Sequence, residues 1–502
     1  MYVEFNLNQP LPDTCWIFGR CQGIIPAQPL EENLSTLADL RGEFSVAASI
    51  DETLYLFRDP VGVAPLYYSA DGSSLIVSSS ISKIIAGLGK SLSINHDYLK
   101  RIWQDDYTDL ESTAFREIHR VPPGILIYLR AGEFHRARYI EPIPQRTPRE
   151  ITNFPTLERI FFTALERRIP PDRKLAVLVS GGLDSALLTH ALSHLDPTCN
   201  LHSFSLDFKS QPEWSRDLNA VLDCGRWLKT VQFYEDLDPN IFAEEQADHN
   251  PFIFYGPTLY LFKPGLIEAQ RRGLRVVCTG LGGDDLFSAS PLAYGSLIRQ
   301  LKIGTYWQAA QHRESLYQVL RYTFSALIPN GLMRWWKANS RLAAEPWRKL
   351  KLLPHLRNDF ARFFLSGGYL FAMENEQELA QHFGLRMSYP LLDYDLIQTQ
   401  LRMPVEPDFQ NKPALRKLAK GLVPEEIRLK RSAQDYSAFE AFTWASQAKI
   451  FANRLSHLTI ADWVDALPKK PSLDDELKLN YFYRVEQTAK GTQNGVQSRK
   501  GL

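Results

Sequence analysis

The chain has 502 residues, with 57 Lys plus Arg against 57 Asp plus Glu. That length implies about two or three domains with ample room for a core, and the balanced charge predicts no general attraction to nucleic acid or membrane. The five cysteines (Cys15, Cys21, Cys199, Cys224 and Cys278) are scattered, without a CxxC pair or metal spacing, as in a reducing cytosol, and there is neither a signal-peptide pattern at MYVEFNLNQPLPDTCW nor a run of about 18 apolar residues to span a membrane.

Short strand-like pieces separated by turn residues fill the first part of the chain. Phe44 to Ile50, Thr53 to Phe57, Leu66 to Tyr68, Leu75 to Ser78 and Gly124 to Leu129 fit an antiparallel domain. The run Leu40 to Ile85 carries Gly42, Phe44, Arg58-Asp59, Gly62, Pro65-Leu66-Tyr67-Tyr68 and Ser78 to Ser80, and Val121 to Gly124 reads VPPG. On these residues it resembles the N-terminal glutaminase domain of asparagine synthetases. That chemistry needs a cysteine as the mature first residue, with its own α-amine as the base. Here Met1 is followed by Tyr2, Cys15 and Cys21 are internal, and the glutamine-binding segments are missing. The domain is therefore expected not to hydrolyse glutamine, and to serve as a scaffold or as a surface for a substrate or partner.

Glu141 to Asn153, with three prolines and mixed charge, reads as a linker. Leu157, Ile160, Phe161, Ala164 and Leu165 then mark an amphipathic helix. Apolar runs at Leu175 to Val179, Leu201 to Phe208, Leu228 to Phe233 and Leu274 to Thr279 alternate with helical spacing at Leu187, Leu188, Ala191, Leu192 and Leu195, at Leu218 to Trp227, and up to Ile267 to Arg272. Strands alternating with helices predict a parallel, doubly wound sheet with the ligand at the strands' C-terminal edge.

Two loops at that edge carry the chemistry. Ser180-Gly181-Gly182-Leu183-Asp184-Ser185 joins the first strand to a helix. Glycines let the backbone approach a ligand, and the free N–H groups and dipole of the helix favour phosphate. Ser180 and Ser185 can add hydroxyl donors. Asp184 would repel phosphate unless a cation stood between them, which points to Mg²⁺ and the pyrophosphate end of ATP. No lysine closes the loop, so it is not the GxxxxGK[ST] phosphate loop. The fourth strand runs into Thr279-Gly280-Leu281-Gly282-Gly283-Asp284-Asp285-Leu286-Phe287. Asp184 and Asp284 can share one Mg²⁺ while leaving positions for phosphate oxygens; Asp284 and Asp285 can equally cap the next helix.

SGGLDS with TGLGGDDLF resembles the synthetase domain of the asparagine synthetase superfamily. The resemblance covers Leu40 to about Tyr436 and implies ATP and Mg²⁺ as cofactors. It places Leu178, Val179 and Leu206 around adenine and Thr279 and Gly280 near the adenosine. Ser180, Gly181, Gly182, Asp184, Ser185, Gly282 and Gly283 are the remaining expected nucleotide contacts. It also implies a glutaminase-like α+β antiparallel sandwich of the N-terminal-nucleophile type at 1–140. An α/β adenine-nucleotide α-hydrolase-like domain with a helical C-terminal part follows at 154–485. The polar end, EQTAKGTQNGVQSRKGL at 486–502, reads as a disordered tail from its composition.

Leu281 stands where asparagine synthetases have Glu and β-lactam synthetases have Tyr, and leucine cannot carry a proton. The GGD spelling, together with Pro390-Leu391-Leu392-Asp393, Leu401-Arg402-Met403-Pro404, Leu415-Arg416, Val423-Pro424 and Lys430-Arg431, looks most like lasso peptide cyclases. Arg386 and Ser388 replace the family's Glu-x-Arg before Pro390, and Ser432 or Ala433 falls where its catalytic lysine belongs. Lys430 and Arg431 are the candidates to supply that charge from the same loop, or else they are solvated surface cations. Leu332 to Arg362 interleaves eight Lys or Arg with Trp335, Trp336 and Trp347, a docking surface or an amphipathic helical pair.

The resemblance implies a ligase that adenylates an Asp or Glu side chain of a precursor peptide and closes a macrolactam with the peptide's own α-amine. Its expected partners are the precursor peptide, a leader peptidase and a leader-binding protein, with no nucleic acid or membrane. The alternatives are a small-molecule amide synthetase of the same superfamily and a non-catalytic relative.

Overall fold

The computed structural model describes residues 1–89, 91–143, 152–207, 229–234, 257–288, 294, 297–298, 301–311, 319–320, 323, 364, 367–430, 478–479 and 481–491. Two antiparallel sheets come first. Strands β1 (Tyr2–Asn6), β6 (Ser74–Ser78), β5 (Tyr67–Ala70) and β7 (His119–Arg120) form one, in the order β1-β6-β5-β7. Strands β2 (Thr14–Gln22), β3 (Arg41–Ile50), β4 (Thr53–Arg58), β8 (Ile125–Arg130) and β9 (Glu133–Arg138) form the other, in that order. Strand side chains alternate between faces. Ala47, Leu54, Leu56 and Ile127 accordingly point into the space between the sheets with Phe5, Leu75 and Val77. Val46, Ala48, Tyr55, Phe57 and Leu126 pack outward under Leu30, Leu37 and Leu40. Both faces of β3 and β4 are buried, which is why apolar residues stand at consecutive positions there instead of alternating with polar ones.

The second unit is a parallel sheet in the order β12-β11-β10-β13-β14, from β10 (Lys174–Leu178), β11 (Asn200–Asp207), β12 (Lys229–Tyr234), β13 (Val276–Cys278) and β14 (Arg386–Ser388). Every neighbouring pair is parallel. The helices Phe154–Glu166, Leu183–Leu195 and Gly368–His382 cover it, and their apolar faces join the strands in one large core with Leu175, Ala176, Val177, Leu187, Leu188 and Met373. No helix among the described residues is long and apolar enough to cross a membrane.

Several expectations are corrected. Strands β1, β2, β7, β9 and β14 were not anticipated: β9 is largely exposed and β7 and β14 have only two and three residues, so none of these three shows an apolar run. The tail expected to be disordered from Glu486 is helical as far as 491. Phe482, Val485 and Ala489 recur at helical spacing and pack on Tyr98, Leu99, Ile102 and Phe115 of the N-terminal unit. The linker prolines, the helix at Leu218 to Trp227 and the basic, tryptophan-rich segment Leu332 to Arg362 lie wholly or mostly outside the described residues.

Candidate active site

The first loop leaves the sheet just after Val179, whose N–H donates to the Phe204 carbonyl at 2.8 Å. Gly181 turns the chain with φ +87°, a conformation that costs glycine nothing and other residues steric strain. Gly182 stands at the N-terminus of the Leu183–Leu195 helix without a side-chain cap, so its leading amides face the loop. The serines brace the turn: Ser180 and Ser185 hydroxyls lie 3.3 Å apart, Ser185 donates to the Gly182 carbonyl at 3.2 Å, and the Gly182 N–H donates to Ser180 at 3.4 Å.

The second loop follows β13 and is tied to β14, because the Thr279 N–H donates to the Ser388 carbonyl at 3.1 Å. The two loops then interlock through glycines. A Cβ at Gly280 would sit 3.0 Å from the Asp184 Cβ, and one at Gly283 only 2.3 Å from the Asp184 Cγ. The GGD spelling thus has a local cause: any side chain at 283 would displace the carboxylate of the first loop.

The two aspartates meet on one cation, and it is a residue the sequence reading did not single out. Lys412 Nζ donates to Asp184 at 2.9 and 2.7 Å and lies 2.8 Å from Asp284 Oδ1. Burial raises the Asp184 carboxyl to about 6, Lys412 opposes that rise, and Asp284 adds to it. Burial works against the charge on Lys412, but Asp184 and Asp284 prevail and raise its ammonium above the usual value. Lys412 adopts φ +52°, an uncommon conformation for a side-chain-bearing residue and one that clusters at functional sites. The only sequence signal was its place before Pro413, which opens the Pro413–Leu418 helix.

One turn later Arg416 donates to the Asn411 carbonyl at 2.5 Å, to the Lys430 carbonyl at 2.5 Å and to the Arg428 carbonyl. The loop that carries Lys430 is therefore fastened to the helix that starts at Lys412. Lys430 caps the end of the Glu425–Leu429 helix, while Arg431 lies outside the described residues. On the other flank, Tyr369 donates its phenol proton to Asp285, and burial, then Asp285, raise the phenol's pKa. Leu178 is half-buried and Val179 buried at the end of β10; the Leu206 side chain is not among those described. Arg386 donates to Glu43 at 2.7 Å, so it belongs to the junction with the N-terminal unit.

Among the described residues no cluster of three or more His, Cys, Asp or Glu could hold a metal. Mg²⁺ bound with ATP needs only one or two carboxylates, because phosphates and water complete its shell. Asp184 and Asp284, converging on one cation, fit that donor set.

A family model described as Asparagine synthase matches residues 156–494, and one described as Glutamine amidotransferase domain matches residues 30–140. The chain is 24% identical over 250 residues, 47% of its length and 46% of the relative's, to "Putative asparagine synthetase [glutamine-hydrolyzing] 2" of Methanocaldococcus jannaschii. It is 27% identical over 309 residues, 57% of this chain and 46% of the relative, to the asparagine synthetase [glutamine-hydrolyzing] of Asparagus officinalis. It is also 24% identical over 280 residues, 51% and 41% of the two chains, to "Amidase chyE" of Penicillium rubens. The chain thus spans about half the length of the curated relatives it matches.

Proposed function

The chain belongs to the asparagine synthase family, and from that premise we propose that it is an AMP-forming ligase. It joins a carboxylate to an amine at the expense of ATP. The observation that carries the reading is the meeting of Asp184 and Asp284, from two glycine-rich turns at the C-terminal edge of a parallel sheet, on a single positive charge. That is the place and the polarity for a magnesium-bound triphosphate.

In this reading a substrate carboxylate oxygen attacks the α-phosphorus of ATP, the bond to the β-phosphate oxygen breaks, and pyrophosphate leaves. The acyl carbon then carries AMP as its leaving group. An amine nitrogen attacks it, loses a proton, and AMP departs. The helix amides behind Gly182 cradle phosphate, and Asp184 and Asp284 would hold Mg²⁺, which would supply neutralising charge to the phosphates. Lys412, released from the aspartates to phosphate oxygens, stabilises the charge that grows on the leaving group; Lys430 or Arg431 adds to it from the loop that Arg416 fastens.

For the substrate we take the reading closest to lasso peptide cyclases: an Asp or Glu side chain of a precursor peptide, closed into a macrolactam by the peptide's own α-amine. The support is the GGD loop, the Leu281 position and the motifs from Pro390 to Lys430. Holding the amine beside the acyl carbon raises its effective concentration far above that of competing nucleophiles. The test is product analysis with ATP, Mg²⁺ and candidate peptides. AMP, pyrophosphate and a peptide one water lighter are expected. ADP in place of AMP refutes the class, and asparagine made from aspartate and ammonium refutes the peptide.

A further inference from the structure

The N-terminal unit keeps a motif, Arg58-Asp59 to Tyr68, in which Arg58 and the turn at Gly62 meet the other unit. The Asp59 carboxylate accepts the backbone N–H groups of Val61, Gly62, Val63 and Ala64 at 2.7–3.1 Å, which makes a stiff turn. That turn presses on the first turn of the Gly368–His382 helix: a Cβ at Gly62 would meet Leu370 at 2.7 Å. Behind it, fully buried Arg58 donates to one Glu374 oxygen at 2.8 Å and Arg120 to the other at 2.7 Å. Glu378 accepts from Ser80 at 2.8 Å, and Gln381 exchanges hydrogen bonds with Ser79 at 2.8 and 2.9 Å. Positions 374, 378 and 381 share one helical face, so the whole face is anchored in the N-terminal unit.

The same helix also reaches the candidate site. Tyr369, at its start, holds Asp285, the neighbour of Asp284. Gln377 pairs with both backbone groups of Met387 at 2.8 and 3.1 Å, beside the β14 residue that carries the second loop. We propose that the N-terminal unit is the footing of the nucleotide site. Arg58 and Arg120, by gripping Glu374, fix the register of this helix and so the placing of Asp285 and Asp284. Glu374 and Tyr369 are positioning residues in this scheme. It rests on the reading of Asp184 and Asp284 given above, and it gives the N-terminal unit a part in holding the nucleotide site.

The test is titration calorimetry of the full chain with ATP and Mg²⁺, and separately with adenosine, for the parent protein, Glu374→Gln, Tyr369→Phe and the double variant. Thermal unfolding is recorded alongside. Either single variant is expected to weaken ATP·Mg²⁺ by roughly three- to thirtyfold, to leave adenosine affinity unchanged, and to add nothing to the other in the double variant. Tyr369→Phe removes a single oxygen and keeps the test alive if Glu374→Gln does not fold. A folded variant that binds ATP·Mg²⁺ like the parent overturns the proposal. So does parallel weakening of both ligands, or additive effects. A parent protein that does not bind ATP·Mg²⁺ overturns the site reading itself, and this proposal with it.

Discussion

At Asp184 and Gly283 the site is decided by single atoms. Gly283→Ala places a methyl group where the Asp184 carboxylate now lies, at 2.3 Å from its Cγ. The substitution keeps a permitted backbone, so the fold should survive while the carboxylate moves. Affinity for ATP·Mg²⁺, measured by calorimetry, should fall roughly 10- to 100-fold, the scale of a 1 Å misplacement. Asp184 also costs stability. Its folded pKa, raised to about 6 from 3.8, lies above the unfolded value, so its contribution favours the fold below pH 4 and is lost as pH rises through 6. Asp184→Asn removes that loss. The variant's urea midpoint relative to the parent should rise from pH 4 to pH 7 and level off above, while nucleotide binding collapses. A pH-independent difference would contradict the buried, acid-raised carboxyl. Stability lost to a site that needs an unfavourable charge is a familiar exchange in ligand-binding proteins.

Among the elements, what was legible in the sequence is what buries apolar surface in a regular period. The runs at Phe44 to Ile50 and Leu175 to Val179 became β3 and β10, and the SGGLDS turn fell between strand and helix as its spacing implied. Exposed β9 and the three-residue β14 gave no such signal. Lys412 was missed because its function comes from a left-handed backbone and a contact to Asp184 228 residues away in sequence, neither of which leaves a local pattern. The same holds for the junction of the two units. Glu43 in β3 takes Arg168 at 3.2 Å, Arg386 at 2.7 Å and the Tyr389 N–H at 2.8 Å, and Arg168 also reaches Asp393 at 2.5 Å. Burial works against the charge on Glu43, yet the arginines win and its pKa is lowered. Its stabilisation is therefore present above the usual glutamate range and lost in acid. Glu43→Ala would strand Arg168 and Arg386 with too little negative charge. Breaking a buried pair in this way costs about 3–5 kcal/mol, which should appear as an equal drop in unfolding free energy from urea denaturation at pH 7.

At the scale of the whole molecule the issue is what the N-terminal unit does if it does not make ammonia. Its thiols are poor nucleophiles for a physical reason. Cys15 lies within β2, paired in register with Ala48, and Cys21 opposite Gly42. Burial raises both thiols, Cys21 to about 12 with Cys15 and Asp59 adding to the effect. Since the thiolate is the attacking species, almost none is present at neutral pH. In β2 the backbone amide of Cys15 is part of a peptide bond after Thr14 and cannot act as the amine base that such chemistry requires. Incubation with glutamine should therefore release no glutamate above the rate without protein, with or without ATP, and Cys15→Ala with Cys21→Ala should leave ATP turnover on an accepted peptide unchanged. Glutamate release that disappears in the double variant would restore an ammonia source to the molecule. Its absence leaves the amine to come from the substrate or the solution, and leaves the grip of Arg58 and Arg120 on Glu374 as one of the contacts that tie the N-terminal unit to the ATP domain.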